Sequence, residues 1–139
     1  MITYGLTTPL VCLLLLVAWT IGLVVALTIA RFRYLARGGS VRDFGVPDDR
    51  RLIWRLYRAH VNVLENLPLF AAVVLVAAVI GRQSAALDVL SVAYLCARIG
   101  QSIAHVSPGA GLKFNVRFGF FATQIVCLAL MVLILLASD

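Results

Sequence analysis

The chain has 139 residues, 63% of them hydrophobic and 13% charged, with a mean hydropathy of +1.02. A soluble domain is roughly 45–50% apolar, and a chain of one-domain length has no interior able to hide this much apolar surface, so the implied solvent is a bilayer. The net charge of +6 comes with no nucleic-acid motif. It is assigned to membrane topology and anionic headgroups rather than to nucleic acid.

Spanning helices are expected at about 8–30, 52–80, 86–106 and 115–137. Each is close to the roughly 20 residues needed to cross hydrocarbon, and lipid demands that backbone groups be satisfied within the segment. The expected fold is an all-α, integral-membrane four-helix bundle in one domain. Residues 8–30 carry no charge. "MITYGLT" before them lacks a basic side chain and the apolar run exceeds a signal-peptide core, so this first span is expected to be retained.

The connection "RFRYLARGGSVRDFGVPDDRR" (31–51) reads as loop from its Gly-Gly pair, Pro47 and mixed charges. Arg31, Arg33, Arg37, Arg42, Arg50, Arg51, Arg55 and Arg58 make eight of the twelve basic residues. By the positive-inside rule the first and third connections face the cytoplasm and both termini face outward, in the inner (cytoplasmic) membrane. Asp48 or Asp49 is expected to cap the second helix.

In that helix Arg55, Arg58, Asn62 and Glu65 share one side of the wheel, and Pro68 is expected to kink it. Snorkelling explains Arg55 and Arg58. It does not explain Glu65, which lies deeper and is expected to face a bundle interior or cavity, paired. A purely structural Arg58–Glu65 network is the competing reading. His60 points about 160° from Asn62 and is read as a packing or interface residue.

Ser84 is a candidate cap for the third helix, and Asp88 reads as a helix-start residue. Arg98, Gln101, Ser102 and His105 fall within about 100° of arc, with Tyr94 near the same face. This helix returns toward the cytoplasmic side, which puts these groups level with Arg58 and Glu65. "SPGAG" (107–111) reads as a short loop, and the fourth helix adds Arg117 with Gln124 two turns on. Cys12, Cys96 and Cys127 lie in three different spans without a Cys/His cluster, so no metal site is expected.

Three helices thus bring polar groups to one end of the bundle, with arginine in excess of glutamate. Arginine forks suit carboxylates, and a cation beside a thiol favours its thiolate. The residues themselves point to an anionic ligand, with a thiol-bearing one compatible, taken from the cytosol beside a partner dissolved in the membrane.

The stretch Arg58-Ala59-His60-x-Asn62-x-x-Glu65-x-x-Pro68 resembles the second-helix signature of the MAPEG family, the membrane-associated proteins in eicosanoid and glutathione metabolism. Length, four spans, the basic first loop and Arg98 extend the resemblance over essentially the whole chain. The "QS..H" pattern of the third helix is similar to bacterial-type members. The family's eicosanoid synthases instead carry tyrosines where this chain has Gln101 and His105.

The resemblance implies a homotrimer with glutathione held between subunits near the cytosolic face. Arg58, Asn62 and Glu65 match the glutathione-binding positions, with Arg98, Gln101 and His105 as further contacts. Arg117 matches the fourth-helix arginine that stabilises the thiolate, and is the expected catalytic residue. The implied activity is a glutathione-dependent transferase or peroxidase acting on lipophilic electrophiles. A non-catalytic lipid- or glutathione-binding scaffold is the alternative. A small transporter is disfavoured because residues 8–30 lack the titratable carboxylate that coupling needs.

Overall fold

A computed structural model describes residues 5–108 and 113–137. It contains four long helices: α1 (Thr8–Ala36), α2 (Leu52–Val79), α3 (Ala85–Val106) and α4 (Lys113–Leu136). A short 3₁₀ helix, Val41–Gly45, lies between α1 and α2, and no strand occurs among the described residues. All four long helices are apolar enough to cross a membrane. The expectation of an all-α, integral-membrane four-helix bundle holds.

α1 is 29 residues long, which at 1.5 Å per residue is about 43 Å, more than the roughly 30 Å hydrocarbon core. It therefore continues past the expected end near residue 30, carrying Arg31 and Arg33 into the headgroup zone. Its C-terminus is closed by a glycine in left-handed conformation. Gly38 has φ +87°, the Gly38 N–H donates to Leu35 O at 3.0 Å, and the Gly39 N–H donates to Tyr34 O at 3.1 Å. This is the paired-bond helix stop that only glycine adopts without strain. α2 ends the same way at Gly81 (φ +67°), with Gly81 N–H to Ala78 O at 3.2 Å and Arg82 N–H to Ala77 O at 2.9 Å.

The helix starts differ from expectation in one place. Ser84 caps α3 as expected, its Oγ accepting from the Leu87 N–H at 3.2 Å. Neither Asp48 nor Asp49 caps α2, whose N-cap is Arg51 with no side-chain cap bond. Asp48 Oδ1 instead accepts from the Arg50 N–H at 2.9 Å, closing a local turn one step earlier. Asp49 pairs with Arg58 at 3.2 Å. α2 passes through Pro68 as one helix. From residue 109 the expected 107–111 loop lies outside the described residues.

α1 packs on α2 and α3 on α4, with α3 also touching α1 and α2. The shared core includes Leu16, Val63, Phe70, Leu87, Tyr94 and Met131. Phe70 and Tyr94 stack with centroids 4.2 Å apart. Gly100 lets α4 approach α3, since a Cβ there would meet the Phe120 ring at 2.7 Å. Leu14, Phe32, Leu75, Val89, Phe118 and Leu133 are exposed, whereas Arg98, Gln101, Ser102 and Gln124 are buried. Apolar groups face out and a polar set sits within, the distribution a lipid solvent favours.

Candidate functional site

The starting point is Arg98, which has no exposed surface. An arginine inside a lipid-embedded bundle must place its donors on acceptors or cost several kcal/mol. Acceptors on α2 and on α3 itself supply them. Nη1 donates to Asn62 Oδ1 at 3.0 Å and to Gln101 Oε1 at 2.7 Å. Nη2 donates to the Asn62 carbonyl and, at 3.5 Å, to the Val63 carbonyl. One turn further along, the Tyr94 hydroxyl donates to Asn66 O at 3.4 Å. α3 is thus fastened to α2 by side chains reaching spare carbonyl lone pairs.

Gln101 extends the network to α4. Its Oε1 also accepts from Gln124 Nε2 at 2.9 Å, and its Nε2 donates to the Arg117 carbonyl at 3.4 Å. Gln124 Nε2 donates in turn to Phe120 O at 3.0 Å. Ser102 Oγ returns its proton to Arg98 O at 3.0 Å. Arg98 and Gln101, expected as direct ligand contacts, are sealed behind the wall with their polar atoms largely engaged inside the chain. Lipid offers no water to satisfy them otherwise.

Other members of the expected set lie nearer the surface. Arg58 is 41% exposed and pairs with Asp49, not with Glu65. Glu65 is exposed on the single chain and forms no ion pair among the described residues. Asn62 is half-buried, and because arginine offers only donors, its amide oxygen must face Arg98. Its Nδ2 donors are left on the outward side. His105 is half-buried within electrostatic range of Arg58, Arg98, Arg117 and the Asp49 carboxylate. Arg117 is half-buried at the start of α4. Groups from α2, α3 and α4 therefore meet at the end of the bundle that carries the long basic connection.

Two parts of this end were not legible as functional groups. Arg55, a stripe member, closes the C-terminus of α3: its Nε donates to Val106 O at 2.8 Å and its Nη1 to Asp49 O and Arg50 O, each at 2.9 Å. The first bond satisfies one orphan carbonyl at the negative end of α3, and the other two brace the turn before α2. The 31–51 connection is a folded strap rather than a plain loop. Tyr34 Oη donates to Asp43 Oδ2 at 2.6 Å, and Arg51 lies over the Tyr34 ring, 4.9 Å from its centroid. Ser40 and Asp43 form a reciprocal cap at the start of the 3₁₀ helix, a Ser-x-x-Asp spacing visible in the sequence. The Tyr34 hydroxyl and then the Ser40 N–H hold the Asp43 carboxyl below its ordinary value.

His60 faces away from this set, as expected. It lies near Arg31 of α1 with its buried Nδ1 lacking a hydrogen-bond partner in the described structure. No group of three or more candidate metal ligands occurs among the described residues.

Four apolar spanning helices with an ionisable cluster at one end define an integral, multi-pass membrane protein. The model of the MAPEG family matches residues 9–137, nearly the whole chain. The chain belongs to that family, which is broadly associated with glutathione. No curated protein and no solved structure matches it.

Proposed function

We propose that this protein is a glutathione-dependent transferase or peroxidase acting on lipophilic electrophiles. The observation that carries the reading is His105 within electrostatic range of Arg58, Arg98 and Arg117 at the end of the bundle where Asn62 holds Arg98. Glutathione has two carboxylates and one ammonium group, and a wall whose cations outnumber its carboxylates, Glu65 and the Arg58-paired Asp49, complements that pattern. In this arrangement Arg58 takes a carboxylate, Asn62 donates through Nδ2, and Glu65 accepts from the ammonium group.

Bound glutathione supplies the nucleophilic sulfur. Arg117 holds negative charge at that sulfur, and His105 contributes a polar contact beside it. Arg98 and Gln101 position Asn62 and the Arg117 backbone from behind. The lipophilic partner reaches the site laterally from the bilayer.

The exposed Glu65, with exposed Leu64 and Leu69 near it on α2, suits burial against a second copy, in a homotrimer with the ligand between subunits. The basic strap faces the cytosol and both termini face outward, in the inner membrane.

The test uses purified protein in detergent. Glutathione should raise the melting temperature, and the protein should conjugate an activated aryl halide or reduce a lipid hydroperoxide. Arg117→Ala should lower turnover while leaving the glutathione-induced shift largely in place. Heat stabilisation without turnover on any electrophile or hydroperoxide would establish the scaffold reading instead. Neither stabilisation nor turnover would sink both.

A further inference from the structure

At the opposite end of the bundle, the start of α1, the end of α2 and the start of α3 enclose a cavity of about 650 Å³. That lies within the 300–1,000 Å³ range of small-molecule sites. Its apolar side includes Leu10, Val74 and Leu87, and its polar side includes Arg82, Gln83 and Asp88. Arg82 and Asp88 carry opposite charge on one cavity, yet they form no ion pair within 4.0 Å among the described residues.

The local fold fixes where both residues leave the backbone. The Gly81 stop at φ +67° ends α2 and anchors the Arg82 backbone on Ala77 O at 2.9 Å. Ser84 starts α3 and places Asp88 in its first turn, where the helix dipole favours an anion. Each charge thus has a reason to stay where it is, and the two remain apart. A ligand bearing both signs satisfies them together, whereas a simple anion would meet the Asp88 carboxylate. The cavity lies at three helix ends, level with lipid headgroups, and its apolar side continues toward the membrane interior.

We propose that this cavity binds a zwitterionic phospholipid, its phosphate at Arg82 and its ammonium at Asp88, with the start of an acyl chain along Leu10, Val74 and Leu87. The site lies at the far end from the glutathione reading and does not depend on it.

The test is native mass spectrometry of the delipidated full chain in detergent. Equimolar dioleoyl phosphatidylethanolamine and dioleoyl phosphatidylglycerol are offered, with free phosphoethanolamine as a third arm. Phosphatidylethanolamine should be retained over phosphatidylglycerol by roughly fivefold or more. Asp88→Asn should shift the preference toward phosphatidylglycerol, and Arg82→Gln should weaken retention of both. Arg82→Lys and Asp88→Glu should keep it. Ala78→Trp, on an exposed position that lines the cavity, should exclude the lipid without removing either charge. Equal retention of the two lipids overturns the proposal. So does wild-type retention by Arg82→Gln or by Ala78→Trp, or capture of free phosphoethanolamine in place of the lipid.

Discussion

An arginine without exposed surface normally needs a carboxylate, and Arg98 has none in hydrogen-bond contact. Its charge is spread over amide and carbonyl oxygens of Asn62, Val63 and Gln101. Arg98→Ala removes these bonds and leaves a void inside the bundle, and should cost about 3 kcal/mol, read as a lower unfolding midpoint in detergent. Arg98→Lys should recover only part of it, because an ammonium cannot reach several acceptors as a planar fork does. Arg58 should behave oppositely. Its pair with Asp49 is exposed, so Arg58→Ala should change stability by less than about 1 kcal/mol while weakening glutathione binding severalfold in a thermal-shift titration. The sequence placed Arg58 and Arg98 on polar faces of neighbouring helices. It did not separate a surface cation from a sealed one, since a helical wheel gives direction but not which hydrogen bonds are already spent.

The helices were legible because hydropathy and length determine spans almost without reference to tertiary contacts. Their ends were less so. Hydropathy does not mark Gly81, although its left-handed φ of +67° fixes where α2 stops. Gly81→Ala should destabilise by about 1 kcal/mol, again as a lower unfolding midpoint. The strap was hidden because its order comes from side chains distant along the chain, Tyr34, Asp43 and Arg51, in a segment whose composition says loop. Its pH response follows from Asp43. The lowered carboxyl pKa means the ionised form is favoured by the fold, so the strap is fully held above the ordinary carboxylate value. That hold is lost as pH falls through the lowered one. Amide protection factors over 40–45, corrected for the intrinsic pH dependence of exchange, should be high at neutral pH and fall in acid, and Asp43→Asn should lower them at both.

At the scale of the whole molecule, one chain carries a polar stripe whose outer member, Glu65, is exposed amid lipid-facing side chains. The assembly proposed to cover it has a direct check. Native mass spectrometry should give three times the 15.1 kDa chain mass, and Glu65→Lys should shift the population toward single chains. The sequence carried this no further than resemblance, because nothing in one chain's hydropathy distinguishes a face meant for lipid from one meant for a neighbour.

The Arg98 anchor also bears on how the protein is made. α3 is the least hydropathic of the four spans, and an arginine at mid-helix opposes membrane insertion by roughly 2.5–3.5 kcal/mol. Three of the four acceptors that offset this belong to α2, which is synthesised first. During biogenesis α2 therefore presents a ready docking template, and α3 should leave the translocon efficiently only once it has met those carbonyls. Insertion of the third span is then a cooperative event of the α2–α3 pair, and a lesion at Asn62 would surface as a topology defect before it surfaced as a lost activity.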